Sequence, residues 1–149
     1  MTRIVFVFLF AIHVLCCATE PSFEEATIRI GDRVFLVELA VESVQHAYGL
    51  KNRAVLEAER GMLFIFEGER VRRFWMQDTI IDLSIAFMDS ERYIVDIQSM
   101  KSLSQKVHVS KGPAKYALEV NKGIFKMYDI QIGDRVEFEF LEENVVSRK

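Results

Sequence analysis

Thr27-Ile28-Arg29-Ile30-Gly31-Asp32-Arg33-Val34-Phe35-Leu36-Val37 is the stretch that decides the fold class. Two runs rich in β-branched and aromatic residues flank Gly31-Asp32. Glycine in the first place of a two-residue turn marks a type II′ hairpin, whose first central residue takes φ > 0. The second run continues through Glu38-Leu39-Ala40-Val41. Ser43 then reads as the N-cap of a short helix through Val44-Gln45-His46-Ala47-Tyr48, ended near Gly49. Met62-Leu63-Phe64-Ile65-Phe66 is an unbroken apolar run of strand length, the pattern of a strand buried on both faces. Gly68-Glu69-Arg70 reads as a polar loop, after which Arg73-Phe74-Trp75-Met76 begins another strand.

Leu83-Ser84-Ile85-Ala86-Phe87-Met88 and Tyr93-Ile94-Val95-Asp96-Ile97-Gln98-Ser99-Met100 make two more strands, joined by a turn at Asp89-Ser90-Glu91-Arg92. A period of two puts Leu83, Ile85 and Phe87 on one face. It also pairs Ile94 with Asp96 on one side and Val95 with Ile97 on the other. Residues 101–112 are polar and read as a mobile loop. Tyr116-Ala117-Leu118-Glu119-Val120-Asn121 is a strand, and Gly123-Ile124-Phe125-Lys126-Met127-Tyr128 a short helical turn. In Arg135-Val136-Glu137-Phe138-Glu139-Phe140 apolar and charged residues alternate, as in a strand with one wet face. Some eight short strands imply a mostly β fold, an antiparallel sandwich or jelly-roll-like barrel with one or two short helices. It forms a single domain over residues 22–142, followed by a polar tail over 143–149.

The chain has 149 residues, half of them hydrophobic, enough for one domain with a real core. Lys and Arg number 19 against 22 Asp and Glu, a net charge of −3, which opposes general nucleic-acid binding because phosphate recognition needs a concentrated basic field. The N-terminus reads differently from the rest. Arg3 precedes an almost unbroken apolar run over residues 4–17, and the chain turns polar after Ala18, so residues 1–18 read as a secretory signal peptide cut after Ala18. Such a cut removes Cys16 and Cys17, the only two cysteines, and leaves 18 basic against 22 acidic residues. Two other readings stay open: a lipoprotein anchored through Cys17, and an uncleaved anchor. All three place the domain outside the cytoplasm, periplasmic or extracellular.

From about residue 28 to residue 140 the chain resembles the DUF192 (UPF0127) family of small proteins of unknown function. The motifs that carry the resemblance include Tyr48-Gly49-Leu50 with Arg53, Arg60-Gly61-Met62-Leu63-Phe64-Ile65-Phe66, Phe74-Trp75-Met76-Gln77-Asp78-Thr79, Pro113-Ala114-Lys115-Tyr116-Ala117-Leu118-Glu119-Val120-Asn121-Lys122-Gly123 and Ile132-Gly133-Asp134-Arg135-Val136. The resemblance implies a compact, mostly β fold and frequent export, and brings no activity or cofactor. The family usually reads Trp-Met-Lys-Asn-Thr where this chain has Trp75-Met76-Gln77-Asp78-Thr79. It usually reads Ile-Pro-Leu-Asp-Ile where this chain has Ile81-Asp82-Leu83-Ser84-Ile85.

The densest polar and aromatic group surrounds Trp75, the only tryptophan. As a binding site, Trp75 is a flat platform, and Gln77, Asp78 and Thr79 at the strand end supply hydrogen bonds. As plain structure, Trp75 is core and the three polar residues form a turn. Glu119 stands among apolar neighbours, which makes it either one half of an ion pair, with Lys115, Arg60 or Arg73, or an acid of raised pKa at a site. Arg73 is the cationic candidate beside it, and Arg70, Arg72 and Arg73 together read as a solvated loop or a contact for an anionic partner.

Glu119 with Asp78 would be a carboxylate pair for acid–base chemistry on envelope material. No Gly-x-Ser-x-Gly or Gly-x-Gly-x-x-Gly pattern occurs, and His46 and His108 fall on a helix and in a loop, so no metal or cofactor is expected. Met62, Met76, Met88, Met100 and Met127 read as core filling. The expected role is non-catalytic binding of a small molecule, glycan or envelope partner, without nucleic acid and with the membrane involved only through an anchor at Cys17. A carboxylate-dependent enzyme is the alternative.

Overall fold

The computed structural model describes residues 20–140, so the signal-peptide reading over 1–18 and the polar tail over 143–149 lie outside the described residues. Seven strands form one curled mixed sheet, a half-barrel: β1 (Glu24–Ile30), β2 (Arg33–Ala40), β3 (Arg60–Phe74), β4 (Leu83–Met88), β5 (Ile94–Met100), β6 (His108–Asn121) and β7 (Val136–Phe138). Their order across the sheet is β5-β4-β6-β3-β2-β1-β7. Two short helices accompany them, α1 (Ser43–Tyr48) and α2 (Ile124–Met127). The fold is thus mostly β with two helices, as the sequence implies. One pair, β2 with β3, runs parallel, because α1 and the segment after it carry the chain across before β3 begins.

The hairpin forms as the Gly31-Asp32 dipeptide requires. Ile30 pairs with Arg33, and Gly31 has φ 56, while Asp32 keeps a negative φ, the signature of a type II′ turn. The cap of α1 differs by one residue from the Ser43 expectation. Glu42 is the N-cap, and Gln45 Oε1 accepts from the Val41 and Glu42 amides, both at 2.9 Å.

The greatest departures lie in β3 and β6. Gly68-Glu69-Arg70 is not a loop but the bulged middle of one 15-residue strand. Between the pairs Ile65↔Tyr116 and Arg70↔Ala114, β3 advances five residues to two on β6. Between Val71↔Pro113 and Arg73↔Val109 the excess reverses to β6, so residues 108–112, expected in a loop, are strand. Bulges bend strands and hide their period, and they accommodate Pro113, which has no amide hydrogen to donate. A smaller bulge at Val95 corrects the pairing expected on β5. Ile94 lies opposite Met88 and Asp96 opposite Phe87, so Ile94 and Asp96 point to opposite faces, and Val95 packs on the Asp96 side.

Both faces of the sheet are packed. One face gathers side chains from all seven strands, among them Ile28, Phe35, Leu63, Met88, Ile94, Leu118 and Val136, with Ile124 and Phe125 of α2 against them. The other buries Met62, Phe64, Leu83, Ile85, Phe87 and Ala117 under Leu50, Leu56 and Met76 from the connecting segments. Leu83, Ile85 and Phe87 share this second face, as their period demands. Met127 is exposed, so it fills no core gap, unlike Met62, Met76, Met88 and Met100. Among the described residues no helix is long and apolar enough to cross a membrane.

Candidate functional site

Beyond Phe74 the chain leaves β3 and turns sharply. Met76 is fully buried and anchors the turn, the Thr79 amide donates to the Met76 carbonyl at 3.2 Å, and Asp78 sits at φ 60. These are the features of a type II turn with its third residue left-handed, a position that Asp tolerates better than most non-glycine residues. The turn is tied to two neighbours: the Asn52 amide donates to the Asp78 carbonyl and the Leu103 amide to the Thr79 carbonyl, both at 2.9 Å. Gln77-Asp78-Thr79 therefore forms a turn, as expected, and it is held by backbone hydrogen bonds. Trp75, by contrast, is not core, for it is 58% exposed.

Under Trp75 lies a cavity of about 500 Å³ between the end of α1, β3 from Phe64 onward and Glu119 near the end of β6. Phe64, Phe66 and Phe74 form its apolar wall, with Phe74 edge-on to Phe64 at 4.9 Å between centroids. Gln77 and Thr79 contribute polar groups, and Lys51, Arg72 and Arg73 contribute charge. Of the six residues singled out in the sequence, Trp75, Gln77, Thr79, Glu119 and Arg73 line this one cavity. Asp78 does not line it. Its carboxylate lies 3.8 Å from the Lys51 ammonium, and its left-handed backbone turns it away from its neighbours. The expected carboxylate pair of Glu119 and Asp78 thus lacks its second member at the cavity.

Glu119 is the most unusual group. It stands on β6 between Met62 of β3 and Ile85 of β4, on the second face of the sheet, and is 5% exposed. None of the three expected ion-pair partners takes it: Arg60 binds Glu25 and Glu57, Lys115 lies over the Tyr116 ring, and Arg73 shares the cavity without pairing. Burial alone pushes its carboxyl up to about 8. At neutral pH the group is mostly protonated and able to donate as well as accept a hydrogen bond.

The cationic cluster divides its roles. Arg72 packs its guanidinium over Phe66 at 3.8 Å from the centroid, and its Nε donates to the Ala114 carbonyl at 2.9 Å. Burial, and then the charge of Arg70, lowers its pKa. Arg73 is exposed and makes no ion pair among the described residues. His46, on α1, brings Nε2 to 3.0 Å from the Ala40 carbonyl, and its ring lies tilted against Phe66 at 4.6 Å between centroids, bracing the cavity wall. His108 is buried elsewhere on β6, with Nδ1 3.1 Å from Gln98 Oε1. Among the described residues no three His, Cys, Asp or Glu side chains cluster as a metal site would require.

Sequence reasoning missed Lys51, His46 and Phe66 as cavity residues, while Arg72 was read only as part of the cluster with Arg70 and Arg73 that could meet an anionic partner. The Tyr48-Gly49-Leu50 motif next to Lys51 was the one signal pointing toward them.

Residues 26–138 match the family model DUF192, described as an uncharacterized ACR. A UPF0127 protein of Pyrococcus abyssi is 28% identical over 107 residues, spanning 68% of this chain and 85% of the relative. A UPF0127 protein of Thermococcus sibiricus is 32% identical over 73 residues, 49% of this chain and 44% of the relative. A crystal structure from Sinorhizobium meliloti, provisionally described as a transcription regulator, superposes with a TM-score of 0.77 at 31% identity, covering 80% of this chain and 98% of that one. A protein of unknown function from Novosphingobium aromaticivorans superposes at 0.71 with 32% identity, covering 77% and 84%.

Proposed function

This chain belongs to the DUF192 family of uncharacterised proteins, and on that premise we propose that it is a non-catalytic domain that binds a small molecule in the cavity beneath Trp75 and works outside the cytoplasm. The observation that carries the reading is Glu119, a buried carboxyl without an ion pair in the wall of a cavity flanked by an exposed tryptophan. Its side chain makes no hydrogen bond or ion pair among the described residues, and a carboxyl open to a cavity without an internal partner is placed to meet a ligand. Because Trp75 is the only tryptophan, its fluorescence reports the site alone. Titration with a panel of envelope glycans and metabolites should shift the emission for at least one class, and a panel that leaves it unmoved counts against the site.

Export rests on the apolar run over residues 4–17 and its polar break. Mass spectrometry of the protein recovered from its native host separates a mature start at Thr19 from a diacylated Cys17; a cytoplasmic protein retaining Met1 would sink the extracytoplasmic reading. The regulator description of the Sinorhizobium meliloti protein raises nucleic-acid binding, which the net charge of −3 opposes. A second reading, an enzyme acting on envelope material, is favoured by the raised carboxyl of Glu119, a group suited to proton donation near neutral pH. Unchanged turnover of any substrate found in a Glu119→Gln variant would dispose of it.

A further inference from the structure

The cavity has a polarity gradient that selects among ligand classes. Lys51 and the exposed Arg73 line it, phenylalanines form much of its wall, and Glu119 and Thr79 are its buried polar residues. No other carboxylate lines it. We propose that it binds a small organic anion head-out: a ring carrying a carboxylate that meets Arg73 and Lys51, with the ring among Phe66, Phe74 and Trp75 and an uncharged hydroxyl tip on Glu119. The inference rests on the binding reading above and names the ligand class of that site.

Three observations support this orientation. Arg73 is exposed and free of ion pairs among the described residues, and Lys51 has only the distant Asp78 contact at 3.8 Å, so both keep charge to offer. Arg72 is already committed to Phe66 and the Ala114 carbonyl, which leaves Lys51 and Arg73 as the anion's partners. Glu119, held mostly protonated by its burial, does not repel an anion and presents an O–H or a carbonyl to a hydroxyl. A bare sugar ring fits less well. Its hydroxyls point in all directions, and each one desolvated against a phenylalanine wall without a partner weakens binding.

The test uses the full chain, with calorimetry and Trp75 fluorescence, and four probes: 4-hydroxybenzoate, benzoate, 4-hydroxybenzamide and methyl glucoside. 4-Hydroxybenzoate should bind about tenfold more tightly than 4-hydroxybenzamide, the loss of one charge-assisted contact. Arg73→Gln, at an exposed position, should bring that ratio toward one. Glu119→Leu should erase the preference for 4-hydroxybenzoate over benzoate, and Glu119→Gln, which keeps a hydrogen-bonding tip, should retain it. Equal binding of acid and amide, or a ratio untouched by Arg73→Gln, overturns the proposal. A response to methyl glucoside alone overturns this ligand class and leaves the binding reading standing. Silence toward all four probes and the wider panel overturns both.

Discussion

Glu119 has the ionisation of an acid kept from water. Its folded value of about 8 against the ordinary 4.5 means the unfolded chain loses its proton first, so stability is undiminished below pH 4.5 and falls as pH rises toward 8. The slope is about 1.4 kcal/mol per pH unit over that window. Thermal melts of the ligand-free protein from pH 5 to 9 should show this decline, and Glu119→Gln should flatten it; a parallel decline in the variant would place the cause elsewhere. His108 works in the opposite sense. Burial, and then Lys106, lowers its pKa, so its contribution is complete above 6.5 and lost as pH falls through its folded value, leaving an acid limb in the Glu119→Gln profile. At Trp75 the consequence is for binding. Trp75→Ala should shift stability by no more than about 0.5 kcal/mol, because the side chain is mostly exposed, and should weaken 4-hydroxybenzoate binding up to about tenfold by calorimetry.

At the scale of elements the central pair is β3 with β6, and Gly61 sets how closely they run. A Cβ at Gly61 would meet the Glu119 carbonyl oxygen at 2.4 Å, a backbone atom that no rotamer change can move. Gly61→Ala should therefore cost about 1–3 kcal/mol in denaturant unfolding, whereas Gly68→Ala, with open space around it, should cost little. Equal midpoints for the two variants would show that the strands have slack at this point. The same two strands explain what could be read from the sequence. The hairpin at Gly31 and the alternation of β4 were legible because regular ladders keep the period of two. β3 and β6 were legible only in part, at residues 62–66 and 116–121; beyond these their bulges put polar residues and glycine in mid-strand, where they imitate loops. Trp75, Gln77 and Thr79 could be found by adjacency in the chain, and Glu119 by its apolar flanks. Phe66 and His46 join them only through folding, and Asp78 leaves them because of a backbone angle that spacing does not reveal.

The molecule as a whole buries both sides of one sheet, and it does so without cysteine, since Cys16 and Cys17 both precede the described residues. Its stability rests on packing, so a reductant should leave the melting midpoint unchanged. A calorimetric scan with and without dithiothreitol should superimpose, and a drop on reduction would show that a thiol takes part. The two packed faces share β3, β4 and β6, so both should melt in one transition. The outer edge of the hairpin is closed by β7, where Arg29 bonds Glu139 at 2.7 Å, 110 positions away in the chain. During synthesis that edge of β1 has nothing to pair with until residues 136–138 have been added. Joins between such distant segments are also the slow ones, because most of the chain's freedom must be lost before they form. The newborn polypeptide thus carries an unpaired strand edge throughout the synthesis of everything between β1 and β7, a long interval in which a chaperone can hold it or an unwanted neighbour can add to it.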